Sequence, residues 1–259
     1  MPEILFYIFI FFIGLCIGSF LNVCIYRIPA QKSIIYPGSA CPSCKTSIKF
    51  YDNIPILGYL IVKGCCRYCG NPIALRYPII EFLGGLLALS MVLKFGFTFS
   101  TLAYFIFVTA LMVITFIDID YQIIPNEISL PGIIVGLGFS FIIPTLTPFE
   151  SLVGIIVGGG SLWLVATLYL LITRREGMGF GDVKLLGMIG AFIGWKGVIV
   201  TIFAASAIGT IIGIAAMLKS RKDMKMAIPF GPFLSIGAII YIFFGNALIN
   251  WYLFGVLPF

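Results

Sequence analysis

Residues 182–218 read DVKLLGMIGAFIGWKGVIVTIFAASAIGTIIGIAAML, and from Leu185 to Leu218 the only charged side chain is Lys196. At 1.5 Å per residue such a run is about 50 Å long as helix, too long for one crossing of a hydrocarbon core of about 30 Å and short of two full ones. Trp195-Lys196 in its middle has the character of an interface anchor, so the run is expected to turn there and return. A helix running back from Trp195 to Asp182 then covers only about 20 Å, which sets Asp182 below the opposite membrane surface. A re-entrant segment or a locally thinned bilayer is the alternative geometry, and it also keeps Asp182 near lipid depth.

The rest of the chain has the same solvent. Of 259 residues, 61% are hydrophobic and 10% charged, with a mean hydropathy of +1.14, far from the composition of a soluble domain. Apolar stretches run over about residues 4–28, 78–95, 99–117, 128–145, 151–173, 183–195, 197–218 and 230–254, so the fold is expected to be an all-α polytopic membrane protein of about eight transmembrane helices. The expected divisions are a first helix at 1–28, a polar insert at 29–77 and a seven-helix membrane domain at 78–259. The first stretch lacks a basic leader and is long for a signal-peptide core, so it is read as a retained helix. Threaded with the N-terminus outside, every one of the 16 Lys and Arg except Lys94 and Lys196 falls on the cytosolic side, as the positive-inside rule requires. The cytosolic set includes Arg175, Arg221, Lys222 and Lys225. These basic residues are scattered through separate loops, so the net charge of +6 reports orientation and no nucleic-acid partner.

There is no histidine. Ser/His/Asp and Cys/His catalysis and imidazole metal sites are therefore excluded, and any acid or base is a carboxyl or a lysine. The insert holds Cys41-Pro-Ser-Cys44 and Cys66-Arg-Tyr-Cys69, two C-x-x-C turns that each offer two thiolates to one tetrahedral zinc. Cys65 is an alternative to Cys66. A disulfide is the competing reading, and a cytosolic insert disfavours it. So small an insert draws much of its folding free energy from such a metal. Cys16 and Cys24 are read as small core residues of the first span.

Acids beside spans are costly and point to function. Glu3, Asp52, Glu150, Glu176 and Asp223 lie in loops or at ends, where solvation explains them. Asp118 closes the third apolar stretch, in TFIDIDYQIIPN (115–126), and Asp182 opens the sixth, in GFGDVK (179–184). Two carboxyls entering from one side on different helices meet the requirement of an aspartyl dyad. Gly179 and Gly181 would let an extended peptide approach Asp182. The competing readings are helix capping for Asp182 and interface solvation for Asp118.

Gly179-Phe-Gly181-Asp182 resembles the G-x-G-D signature of intramembrane aspartyl proteases. Gly18-Ser-Phe-Leu-Asn-Val-Cys-Ile-Tyr-Arg-Ile-Pro29, the paired cysteine knuckles, Arg76-Tyr-Pro-Ile-Ile-Glu81, Asp118 seven residues before Pro125, and Gly179 to Leu185 together resemble the bacterial type IV prepilin peptidases over nearly the whole chain. The resemblance implies Asp118 and Asp182 as the catalytic pair, Gly179, Gly181 and Lys184 as support for the catalytic loop, and Cys41, Cys44, Cys66 and Cys69 as zinc ligands. Asp120 becomes a neighbour, and Asn126 stands where many relatives carry Asp. It also implies a bacterial inner-membrane enzyme that cuts prepilin and pseudopilin leaders at the cytosolic face, typically between Gly and Phe. S-adenosylmethionine-dependent N-methylation of the new terminus is implied too. Glu81 is the candidate for the methyl-donor site, against a carboxylate simply favoured by a helix N-terminus. A small transporter and a zinc-loop membrane scaffold are the readings from other classes; the absence of an internal repeat and the position of both acids toward one face count against a transporter. No oligomeric state follows from the residues.

Overall fold

The computed structural model describes residues 2–174, 179–220 and 229–255; Arg175, Glu176, Arg221, Lys222, Asp223 and Lys225 lie outside the described residues. The described residues are helical with no strand. The helices are α1 (Pro2–Arg27), α2 (Leu57–Ile61), α3 (Arg76–Phe95), α4 (Phe99–Tyr121), α5 (Asn126–Phe139), α6 (Pro148–Thr173), α7 (Phe180–Ser220) and α8 (Gly231–Phe254), with a short 3-10 turn at Phe50–Asn53. Six of them, α1, α3, α4, α6, α7 and α8, are long and apolar enough to cross a membrane by length and composition, and α5 is a shorter apolar helix. The protein is thus an all-α multi-pass membrane protein.

α7 is 41 residues long and breaks at Gly194 (φ 68°, ψ 178°), a backbone conformation open to a residue without Cβ. The break stands directly before Trp195-Lys196, where the sequence places the turn. With α7 counted as its two halves, the apolar helices number eight among the described residues, in the order the hydropathy predicts. Two boundaries move. The fourth stretch ends at Phe139 and not near 145, because Ser140–Pro144 folds into turns. The third runs past 117 to Tyr121, which takes Asp118 inside the helix.

The chain forms two compact units, residues 1–101 and 102–259. In the first, α1 and α3 cross where Gly14 and Gly18 meet Gly84 and the Glu81 backbone; a Cβ on Gly14 would stand 2.6 Å from the Gly84 carbonyl oxygen. Lipid tails provide no hydrophobic drive between helices, so contact of this kind relies on small residues that let backbones touch. Cys24 is buried as expected, whereas Cys16 is exposed. It shares the outer face of α1 with Phe9, Phe12, Ile13 and Phe20, so for Cys16 the core reading is corrected: its helical position points it away from α3.

In the second unit α6 and α7 cross by the same device: Gly154 and Gly190 are so close that a Cβ on either would overlap the other's carbonyl. Ser151 Oγ on α6 donates to the Ala191 carbonyl at 2.7 Å, in a buried position. Thr147 and Glu150 form a reciprocal capping box at the start of α6. Phe107 of α4 stacks on Phe192 of α7 with centroids 4.4 Å apart and planes at 13°. The half of α7 that carries Asp182 is the most deeply packed segment of this unit: Leu185, Leu186, Met188 and Ile189 are fully buried.

Candidate active site and metal centre

Asp118 lies one turn from the end of α4, and its exposure is 5%. That burial removes the reading of an acid merely solvated at the interface. Asp120, two residues on, is turned about 200° around the helix and is exposed. Helix α4 stops at Gln122, whose φ of 55° is left-handed, and Ile123 to Pro125 then carry the chain to the start of α5. Asp182 is the third residue of α7, past the capping position, and is half-buried.

Asp118 near the end of α4 and Asp182 in the first turn of α7 lie around one segment of chain, the Ile123–Pro125 link. One side chain, Ile124, joins their surroundings: a Cβ on Gly181 would stand 2.9 Å from Ile124 Cβ, and one on Gly231 would stand 3.5 Å from Ile124 Cδ1. Gly181 is therefore fitted by close approach to Ile124, whereas at Gly231 the close neighbour is Asp118 Oδ2, 2.6 Å from a Cβ there. Gly231 opens α8, and its backbone N–H donates to Asp118 Oδ2 at 3.0 Å. A helix N-terminus with unpaired N–H groups favours a negative charge at that oxygen. Lys184 Nζ donates to Asn126 Oδ1 at 2.7 Å, tying the start of α7 to the start of α5 on either side of the Ile124 segment.

The structure thus brings together Asp118, Asp182, Gly181 and Lys184 with two residues that the sequence reading did not single out, Gly231 and Ile124. Gly231 acts through its backbone and Ile124 through its shape, so no residue-type signal marks either; the Gly231-Pro232 step, a proline at the first turn of an apolar helix, marks only the helix start. Gly179 lies beside Asp182, with its Cβ position 3.9 Å from Asp182 Oδ2.

In the first unit the two cysteine knuckles have matching backbones. Cys41 N–H donates to the Thr46 carbonyl (2.9 Å) and Lys45 N–H back to Cys41 (2.9 Å); Cys66 N–H donates to Asn71 (2.8 Å) and Gly70 N–H back to Cys66 (2.9 Å). Each turn closes through a left-handed residue, Lys45 (φ 59°) or Gly70 (φ 70°). The four sulfurs of Cys41, Cys44, Cys66 and Cys69 lie within 4.8 Å of one another, with Cys41–Cys69 at 3.8 Å and Cys44–Cys66 at 3.9 Å. A tetrahedron with zinc–sulfur bonds of about 2.3 Å has edges of about 3.8 Å, so the donor set fits a zinc ion in number, softness and spacing. Hydrogen bonds from Thr46 lower the Cys44 thiol to about 6, toward the thiolate that a metal needs. Cys65 is exposed and outside the cluster, which decides the choice between it and Cys66. Arg67 clamps the second knuckle to Asp52 through Nε (2.9 Å) and Nη2 (2.5 Å).

The insert is fastened to its helices by residues of the two sequence motifs that flank it. Arg27 donates to the carbonyls of Ser33 (2.9 Å), Pro37 (2.7 Å) and Gly38 (3.2 Å). Asn22 Nδ2 donates to the Tyr77 carbonyl at 3.1 Å. Glu81 Oε2 accepts the Ile56 N–H at 2.7 Å, and the Ser19 side chain also bonds to Glu81. Ile56 has a φ of 59°, strained for a β-branched residue, so the carboxylate of Glu81 holds a bend that the chain disfavours.

Residues 12–95 match the family model described as Bacterial Peptidase A24 N-terminal domain, and residues 105–214 match the Type IV leader peptidase family. Proteins named prepilin leader peptidase/N-methyltransferase are similar along the chain. That of Aeromonas hydrophila is 32% identical, covering 96% of this chain and 94% of its own length. That of Legionella pneumophila is 34% identical, covering 95% and 94%, and that of Myxococcus xanthus is 37% identical, covering 84% and 65%. No solved structure matches the chain. With two adjoining domain matches and similarity over nearly its full length, the chain belongs to the type IV leader peptidase family.

Proposed function

We propose that this protein cleaves the leader peptides of type IV prepilins and pseudopilins with Asp118 and Asp182, and N-methylates the new terminus with S-adenosylmethionine as donor. The observation that carries the proteolytic part is the convergence of the two aspartate-bearing helix ends on Ile124, with Asp118 buried and held by the Gly231 N–H. Membership of the family, whose relatives carry both activities in their names, supports the pairing of cleavage with methylation.

The hydrogen bond from Gly231 supports a division of roles. Asp118, which accepts that bond, takes a proton from water, and the hydroxide attacks the scissile carbonyl carbon while Asp182 gives its proton to the carbonyl oxygen. The tetrahedral intermediate then collapses: the C–N bond breaks, the amine leaves with the proton held by Asp118, and a hydroxyl proton of the intermediate returns to Asp182. Gly179 and Gly181 leave room for the extended substrate backbone, and Lys184 supports the loop through Asn126. Cys41, Cys44, Cys66 and Cys69 would hold a structural zinc, which would order the insert. Glu81 keeps Ile56 in place, and no residue is assigned to the methyl donor.

The excess of Lys and Arg supports an inner-membrane topology with the N-terminus outside and the insert and both aspartates at the cytosolic face. The transporter and scaffold readings lose ground to family membership. Incubation of the purified full chain with a synthetic prepilin peptide, read by mass spectrometry, tests the proposal. Cleavage at the leader junction is expected, with a further gain of one methyl when S-adenosylmethionine is added. An intact peptide would overturn the first part, and a cleaved but unmethylated one the second.

A further inference from the structure

The insert, polar as a whole, contains an apolar run from Ile54 to Val62, interrupted only by Pro55, Gly58 and Tyr59. Helix α2 within it is too short to bury these side chains: Leu57, Leu60 and Ile61 are 48%, 61% and 61% exposed. Ile56, Tyr59 and Leu60 join Leu75, Pro78, Ile79, Phe82 and Leu83 in one groove of about 360 Å³. Its second wall is α3, which is a membrane span by length and hydropathy, so the groove opens on the surface that faces lipid.

The height of the segment follows from the Glu81 bond. Glu81 stands five residues into α3 from Arg76, about 7.5 Å along the helix axis, and its carboxylate accepts the Ile56 N–H at 2.7 Å. Ile56 and the start of α2 are thereby level with the second turn of α3 and not beyond its end. Lys49, Lys63 and Arg67 lie in the flanking sequence, and Lys63 is exposed. An exposed apolar patch at the end of a span with basic residues beside it suits the boundary between acyl chains and anionic headgroups.

We infer that Ile54–Val62 is a membrane-interface anchor that holds the metal insert against the bilayer, with a phospholipid acyl chain in the groove between α2 and α3. The inference is independent of the roles given to the aspartates. The test places the photo-crosslinker p-benzoylphenylalanine at Leu60, and separately at Ile61, in the full chain in nanodiscs of phosphatidylethanolamine and phosphatidylglycerol. After irradiation, intact mass should show phospholipid adducts at both positions, at least fivefold above the same label at Tyr68 on the second knuckle. Adduct yields at 60 and 61 no greater than at 68 would overturn the inference. So would crosslinks joining two copies of the chain, or crosslinks to prepilin when it is supplied.

Discussion

The backbone N–H of Gly231 donates to Asp118 Oδ2 at 3.0 Å, and a Cβ at Gly231 would stand 2.6 Å from that oxygen. The start of α8 therefore fixes the position of the buried carboxyl. Gly231→Ala should displace Asp118 while leaving the spans inserted, lowering kcat by about 100-fold, the cost of misplacing a reacting group by about 1 Å. Single-turnover cleavage of a prepilin peptide measures it; a wild-type rate in the folded variant would remove Gly231 from the machinery.

Asp118→Asn and Asp182→Asn should each abolish cleavage without loss of fold, since the amide keeps the shape but cannot exchange a proton. The double variant should be scarcely worse than either single one, because the two act as a unit. Asp120→Asn, on the exposed side of α4, should retain most activity. Peptide cleavage by purified, detergent-soluble enzyme separates these outcomes, and near wild-type turnover by Asp182→Asn would end the aspartyl mechanism.

About one zinc per chain should bind through the knuckles. Metal analysis of a quadruple Cys-to-Ser variant at Cys41, Cys44, Cys66 and Cys69 should find none, whereas Cys65→Ser should keep full occupancy. Methylation should suffer more than cleavage in the quadruple variant, because the aspartates sit on other helices. Equal loss of both activities would mean that the insert also holds the substrate.

The Arg67 guanidinium, hydrogen-bonded to Asp52, holds that carboxyl below the usual carboxylate range. A lowered folded value stabilises the insert above the ordinary Asp value of about 3.9, and the benefit fades as pH falls through the lowered one. Asp52→Asn should therefore speed hydrogen exchange in the second knuckle at pH 7, and the gap from wild type should narrow only under strongly acid conditions. A constant gap at every pH would assign the effect to packing.

Hydropathy alone was enough for the helical membrane fold, the order of the apolar helices and the turn before Trp195, because lipid demands long apolar helices and leaves a periodic, local signal. Cysteine spacing was enough for the pairing of sulfurs within each knuckle, since a C-x-x-C turn positions two sulfurs by local geometry. The residue types also marked Asp118 and Asp182 as costly acids. Which acid is buried, Asp118 and not Asp120, depended on how far α4 runs before Gln122 turns it. That Gly231 reaches Asp118 across 113 positions of chain, that Glu81 is committed to the bend at Ile56, and that Ile56 stands level with the second turn of α3 were decided by tertiary structure alone. Each depends on a backbone donor or on the relative height of two segments, and neither is carried by the identity of a side chain or its local spacing.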